Sequence, residues 1–174
     1  MKAVITRPAS RTLRIDKAAS EVSLEASQLG PFKLRCRFTE FEGTLALGGE
    51  TELARADLQI AASSLKSAFG RSLDRLAAKV LLRAERHPWV TVSARGMRLH
   101  GNSGGEFSAA VSFRGKTRRV PLEVRLDEVR PDGGVRFRVA AAVDRRDWGA
   151  GEALPGFSIG NRVSIRAAIS AVPT

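Results

Sequence analysis

Few side chains in this sequence are of the kinds that make or break bonds, and their spacing decides what they could do. Cys36 is the single cysteine, and His87 and His100 are the two histidines, each beside a turn residue and without a nearby carboxylate cluster. A lone thiol can neither form an internal disulfide nor supply a zinc site by itself, and it reads as a small apolar residue of the interior. In Asp144-Arg145-Arg146-Asp147 opposite charges stand side by side, so Arg146 and Asp147 could pair with each other or cap backbone groups at a strand end. Without a nucleophile or a titrating partner nearby, such a pair is scaffolding rather than machinery. No catalytic residue, no metal ligand and no enzymatic activity are expected.

Charge is the other chemical resource. Against 18 Asp and Glu stand 29 Lys and Arg, a net charge of +11, and a positive field attracts nucleic acid, anionic head groups or acidic partners. The cations are spread along the whole chain, however. The tightest cluster, Arg114-Gly115-Lys116-Thr117-Arg118-Arg119, lacks the interleaved aromatics that would stack bases. A solvated basic surface is the simpler reading; nucleic acid is not an expected partner, and a transient contact with an anionic membrane surface stays open.

The elements that must position these groups follow from periodicity. At 174 residues, 43% hydrophobic and 27% charged, the chain has the size and balance of one globular domain spanning residues 1–174. Its longest apolar run, Val139-Ala140-Ala141-Ala142-Val143, is far shorter than a membrane helix of about 20 residues. The N-terminal stretch lacks the apolar core of a secretory leader, so the expected location is cytoplasmic, or periplasmic if a leader has been removed.

The dominant period is two, the signature of strands with one apolar face. Val22, Leu24 and Ala26 form such a row, as do Leu34, Cys36 and Phe38. Thr44 to Leu47 continues after a bend at Gly43, and Ala54 to Ala62 follows. Trp89 to Leu99 carries Val90, Val92 and Ala94 on one face. The remaining rows run through Phe107 to Phe113, Val120 to Leu126, Val135 to Val143 and Val163 to Ile169. Gly48-Gly49, Gly101-Asn102-Ser103-Gly104-Gly105 and Pro131-Asp132-Gly133-Gly134 supply turns. One helix is expected at about 72–83, with Ser72 as N-cap and Leu73, Leu76, Ala77, Val80 and Leu81 on one face. About eight or more antiparallel strands and one helix pack either as a sandwich or as a closed barrel. A barrel whose inward rows mix Phe with many Ala and Val is either packed or encloses an apolar void that a hydrophobic ligand would fill.

Taken in order, the segments resemble the YceI-like, polyisoprenoid-binding family, from about Thr12 to Val172. Leu13-Arg14-Ile15-Asp16 with Ser20 is similar to the family's aromatic-x-Ile-Asp-x-x-His-Ser start, with Leu13 in place of the aromatic and Ala19 in place of the His. Phe38-Thr39-Glu40-Phe41-Glu42-Gly43 resembles Gly-x-Phe-x-x-Phe-x-Gly, with Cys36 where the first Gly is usual. Ala84-Glu85-Arg86-His87-Pro88-Trp89 is similar to the family's Tyr/His-Pro segment, without the Arg-Asp-x-His-Leu that usually precedes it. The fullest resemblances are Val111 to Leu122, around Gly115, and Val143-Asp144-Arg145-Arg146-Asp147-Trp148-Gly149.

The resemblance implies an all-β, antiparallel, up-and-down lipocalin-like barrel of about eight strands with a short helix near its mouth. It further implies a non-catalytic protein that sequesters or carries a long-chain isoprenoid, a quinone or polyprenyl tail, in an apolar lumen. No cofactor is expected besides that bound lipid, and a homodimer is implied. The ligand-binding wall is expected to include Val22, Leu24, Phe38, Leu58, Ile60, Val92, Phe113, Leu122, Phe137, Val139 and Val163. Val80 and Leu81 of the helix and Trp89 or Trp148 near the mouth complete it. Two other readings differ in class. One is a basic module that docks on anionic membrane or nucleic acid with its lumen packed. The other is an isomerase built on the same cavity, which would need an inward titratable group, and the inward rows offer only Cys36.

Overall fold

Alternation of apolar and polar side chains does produce strands along nearly the whole chain. The computed structural model describes residues 11–28, 33–48, 52–98, 105–152 and 159–174. Its strands are β1 (Arg11–Ile15), β2 (Glu21–Gln28), β3 (Lys33–Phe38), β4 (Phe41–Leu47), β5 (Glu52–Ala61), β6 (Leu65–Ser67), β7 (Trp89–Arg98), β8 (Gly105–Phe113), β9 (Lys116–Val129), β10 (Val135–Asp144) and β11 (Ile159–Pro173). The helix α1 (Arg71–Val80) lies between β6 and β7.

Pairing resolves the choice between sandwich and barrel. β4, β5, β7, β8, β9, β10 and β11 follow one another around the sheet, and β1 joins β4 to β11, so the sheet closes. β1 and β2 lie one after the other along β11, which at 15 residues is long enough to pair with both. β3 continues β4 beside β2, and β6 continues β5 beside β3. The result is an up-and-down antiparallel barrel of eight strands, three of them kinked into two segments, and closure removes the edges that would otherwise invite aggregation.

The connections explain themselves locally. Between β8 and β9, Arg114 (φ 54) and Gly115 (φ 74) form a two-residue hairpin of the kind whose twist suits antiparallel strands, with Phe113 opposite Lys116. Before β10, Asp132 accepts from the backbone N–H of Gly134 at 2.8 Å while Gly133 takes φ 89. The glycine turn around 101–104, residue 49 of the Gly48-Gly49 turn and His100 lie outside the described residues.

Three local expectations are corrected. The helix starts after Gly70, at φ 97, with no side-chain cap. Ser72 therefore lies inside its first turn, and Asp74 instead ties the helix to β6 by accepting from the Ser67 backbone N–H at 3.0 Å and from the Ser67 hydroxyl. The helix ends at Val80 rather than Arg83, because the chain turns away and Arg83 takes φ 48. Gly43 makes no bend. It sits in the ladder opposite Leu58, where a Cβ would lie 2.5 Å from the Asp57 carbonyl oxygen and 2.8 Å from Ile15 Cδ1.

Candidate functional site

The interior divides into two halves with different packing. Towards the end built from β1 and the C-terminus of β11, Leu13, Leu47, Ala109, Leu126, Val135 and Ala171 are sealed together, with Leu13, Ala109 and Ala171 at 0% exposure. Towards the end covered by α1, inward residues of the same apolar type remain half-buried: Leu24, Leu58, Val90, Val92, Phe113, Leu122, Val139, Ala141, Val143, Val163 and Ile165. They stay so because a cavity of about 270 Å³ faces them instead of another side chain. It is a blind lumen, with Leu45, Met97, Val124, Phe137 and Ile169 at its deep level and Leu81 and Leu82 reaching in from the helix end.

Thirteen of the fifteen expected wall residues line it: Val22, Leu24, Phe38, Leu58, Ile60, Leu81, Val92, Phe113, Leu122, Phe137, Val139, Trp148 and Val163. Trp89 does not. It is 47% exposed, because Val90 and Val92 face the lumen and the alternation of β7 sends Trp89 outward. Val80 packs against the core without reaching the cavity, since Ala77 and Leu81 occupy the helix face that does and Val80 lies on its flank. Ile159 and Leu82 line the cavity although no periodic row singles them out. Ile159 is followed by Gly160-Asn161, and Leu82 lies past the end of the helix.

Trp148 closes a gap in the wall. Pairing of β9 with β10 stops at Glu123 opposite Ala140, so above that level the two strands are not laddered. Pro121 stands in this stretch of β9, where its missing N–H costs no bond to β10. Trp148, at 2% exposure, packs there with Val111, Val120 and Phe113. Its indole Nε1–H donates to the Val111 carbonyl at 3.1 Å, and its ring lies 5.4 Å from that of Phe113.

Polar groups at this end are committed to one another. Arg145, at 9% exposure, donates to the backbone carbonyls of Glu152 (2.8 Å), Ile159 (3.0 Å), Gly160 (3.2 Å) and Ala150, and thereby holds the chain on both sides of residues 153–158. Burial lowers its pKa without removing its charge. Arg146 pairs with Asp144, Nη2 to Oδ2 at 2.6 Å, and not with the expected Asp147. Asp144 caps the turn at Arg145–Trp148 by accepting from the Arg146 backbone N–H, and the side-chain bonds from Arg146 together with this one hold its carboxyl down to about 2. Arg145 is the arginine that acts on the lumen's rim, a role the charge pattern alone did not separate from that of Arg146.

Cys36 is the one thiol on the lumen wall, and burial first, with the negative charge of Asp74 second, pushes it up to about 11. Asp57 borders the cavity, but its carboxylate bonds Ser93 Oγ at 3.0 Å and Arg55 on the outer face. Among the described residues no buried side-chain nitrogen or oxygen lacks a hydrogen-bond partner. Nor do they contain a helix long and apolar enough to cross a membrane.

An eight-stranded antiparallel barrel with a blind apolar lumen defines a lipocalin-like class of protein. Within it, the YceI-like domain matches residues 13–171, nearly the whole chain, and the protein belongs to that family. Solved structures agree in fold. BcnA of Burkholderia cenocepacia superimposes with a TM-score of 0.76 at 18% identity, covering 91% of this chain and 99% of its own. A polyisoprenoid binding domain from Saccharophagus degradans, implicated in plant cell wall breakdown, gives 0.76 at 12% identity over 95% and 100%. The Campylobacter jejuni YceI protein gives 0.72 at 13% over 85% and 90%. No match was found among curated protein sequences.

Proposed function

We propose that this protein is a non-catalytic lipid-binding protein that takes a long-chain isoprenoid, a quinone or polyprenyl tail, into the lumen. One observation carries the reading. The cavity wall is predominantly apolar, and the side-chain oxygens and nitrogens at its border, those of Arg145, Asp57 and Ser23, already have partners. A ligand that fits such a wall has nothing to offer it but hydrocarbon, and each buried CH₂ is worth about 0.8 kcal/mol before the costs of binding. The polyisoprenoid binding domain of similar fold supports the choice of ligand class.

Size refines the proposal. At about 270 Å³ the lumen is slightly smaller than the roughly 300–1,000 Å³ of pockets for drug-sized ligands. A short stretch of tail is enclosed, and the remainder of a long chain bends or protrudes past α1. The absence of catalysis is inferred from the same wall, where the thiol of Cys36 stays protonated near neutral pH.

Native mass spectrometry of gently purified protein, with organic extraction of whatever is bound, tests the reading. A co-purifying isoprenoid, or uptake of an added quinone, is expected, and the same spectrum reports whether a homodimer forms. An apo mass that takes up no quinone would overturn it.

A further inference from the structure

The outer faces of β11, β2, β3 and β6, across the barrel from β8 and β9, form a groove of about 540 Å³ that meets the lumen wall at Ser23, Leu24 and Cys36 but, unlike the lumen, is lined mainly by charged and hydroxyl side chains. Cross-strand register determines its lining. Arg166 on β11 lies opposite Ser23 on β2, Ser23 lies opposite Arg37 on β3, and Arg37 lies opposite Lys66 on β6. With strands about 4.8 Å apart, one row roughly 14 Å long holds three cations and a hydroxyl.

The three cations are exposed, and none has an ion-pair partner among the described residues. Like charges directly opposite one another weaken a strand pair, and Arg37 faces Lys66 in this way. The adjoining carboxylate of Glu25 is already engaged by Lys33 at 3.0 Å and Arg35 at 2.9 Å, whose bonds hold it below the usual carboxylate range. Glu21 is the one other acidic side chain on the groove.

We propose that this groove binds a phosphate-class anion, with the Arg37 guanidinium and the Lys66 ammonium on one side and Arg166 on the other; the Ser23 hydroxyl between them donates to the Arg166 carbonyl at 3.4 Å and reaches the anion by turning away from it. A guanidinium fork suits two oxygens of one phosphate, and an ammonium adds a point charge. Among the described residues no aromatic side chain lines the groove, and base stacking is not part of the proposed recognition. The cations of the site lie on the outer face of the barrel, and none of Arg37, Lys66 and Arg166 lines the lumen.

Titration calorimetry with inorganic pyrophosphate and flotation with phosphatidylcholine vesicles, with and without phosphatidylglycerol, test this on the full chain. Arg37→Gln/Lys66→Gln is compared with Arg119→Gln/Arg125→Gln, which removes the same charge from exposed positions of β9. At least one probe is expected to bind, about tenfold or more weakly in the groove variant and within about twofold of the parent in the control. Arg166→Gln, on the opposite side of the row, should weaken it as well. Pyrophosphate binding identifies a soluble phosphate as ligand; binding to anionic vesicles alone identifies a lipid head group. If neither probe binds, or both double variants weaken binding equally, diffuse charge explains the basic surface and the groove is not a site.

Discussion

The guanidinium of Arg114 and the carboxylate of Glu152 meet in a two-point pair, Nη2 to Oε1 at 2.7 Å and Nη1 to Oε2 at 2.8 Å, with Arg83 joining at 3.3 Å. The β8–β9 hairpin is thereby fastened to the chain that follows Trp148. The hydrogen bonds from Arg114 chiefly, helped by the charges of Arg114 and Arg83 and opposed by burial, hold Glu152 down to about 2 from an ordinary 4.5. A carboxylate depressed by folding adds stability above its unfolded pKa and loses it as pH falls through its folded one. Urea unfolding should therefore show stability falling between about pH 4.5 and 2, and Glu152→Gln should flatten that slope. Because Glu152 is a third exposed, the cost of the substitution at neutral pH is about 1–2 kcal/mol. An unchanged acid slope would contradict this account.

Trp148→Ala removes the filler of the β9–β10 gap and leaves the Val111 carbonyl without its donor. A loss of about 3–5 kcal/mol is expected from denaturant unfolding. Trp148→Phe keeps an aromatic ring against Phe113 and loses the indole N–H with a smaller part of the filled volume, for about 1–3 kcal/mol. Equal losses in the two variants would mean that the hydrogen bond, rather than the filled volume, holds the seam.

Cys36 reports on the lumen. With its thiol pushed up to about 11 from 9.0, a pH 8 solution holds about a hundredfold less thiolate in the native protein than in urea, and alkylation by a neutral haloacetamide should slow at least as much. Since Cys36 lines the cavity, a bound apolar ligand should slow it further. Labelling as fast in the native protein as in urea would remove Cys36 from the lumen wall.

Legibility in the sequence followed how local each signal is. Strand alternation is carried by neighbours two apart, so the rows from Val22 to Val163 identify the wall wherever both faces of a strand differ in polarity. Trp89 shows the limit, because an aromatic at the start of a strand looks like a mouth residue until its parity with Val90 is respected. Gly43 is invisible to periodicity in another way. Its reason is the approach of Asp57 and Ile15 from other strands, and contacts between distant segments leave no local pattern. The backbone bonds of Arg145 likewise depend on where the chain returns at Ile159. Whether the lumen was full or empty turned on how Ala, Val and Phe meet across the barrel, and composition does not contain that.

The lumen itself is tested by filling it. Val139 lies on β10 between Val124 of β9 and Ala167 of β11, half-buried because the cavity, rather than another side chain, faces it from within the barrel. In a packed core, enlarging Val to Trp costs about 1–3 kcal/mol through strain, whereas here the indole enters empty volume and the cost should be smaller. Val139→Trp should therefore keep a β-rich far-UV circular dichroism spectrum and nearly the parent's stability while lowering quinone uptake by at least about tenfold, read by native mass spectrometry. Val129→Trp makes the same change at an exposed position of β9, 52% accessible, and should leave uptake unchanged. Uptake by Val139→Trp equal to that of the parent would mean that the ligand sits elsewhere. A β-rich protein that has lost stability as well as uptake would mean that the lumen closes around Val139 in solution.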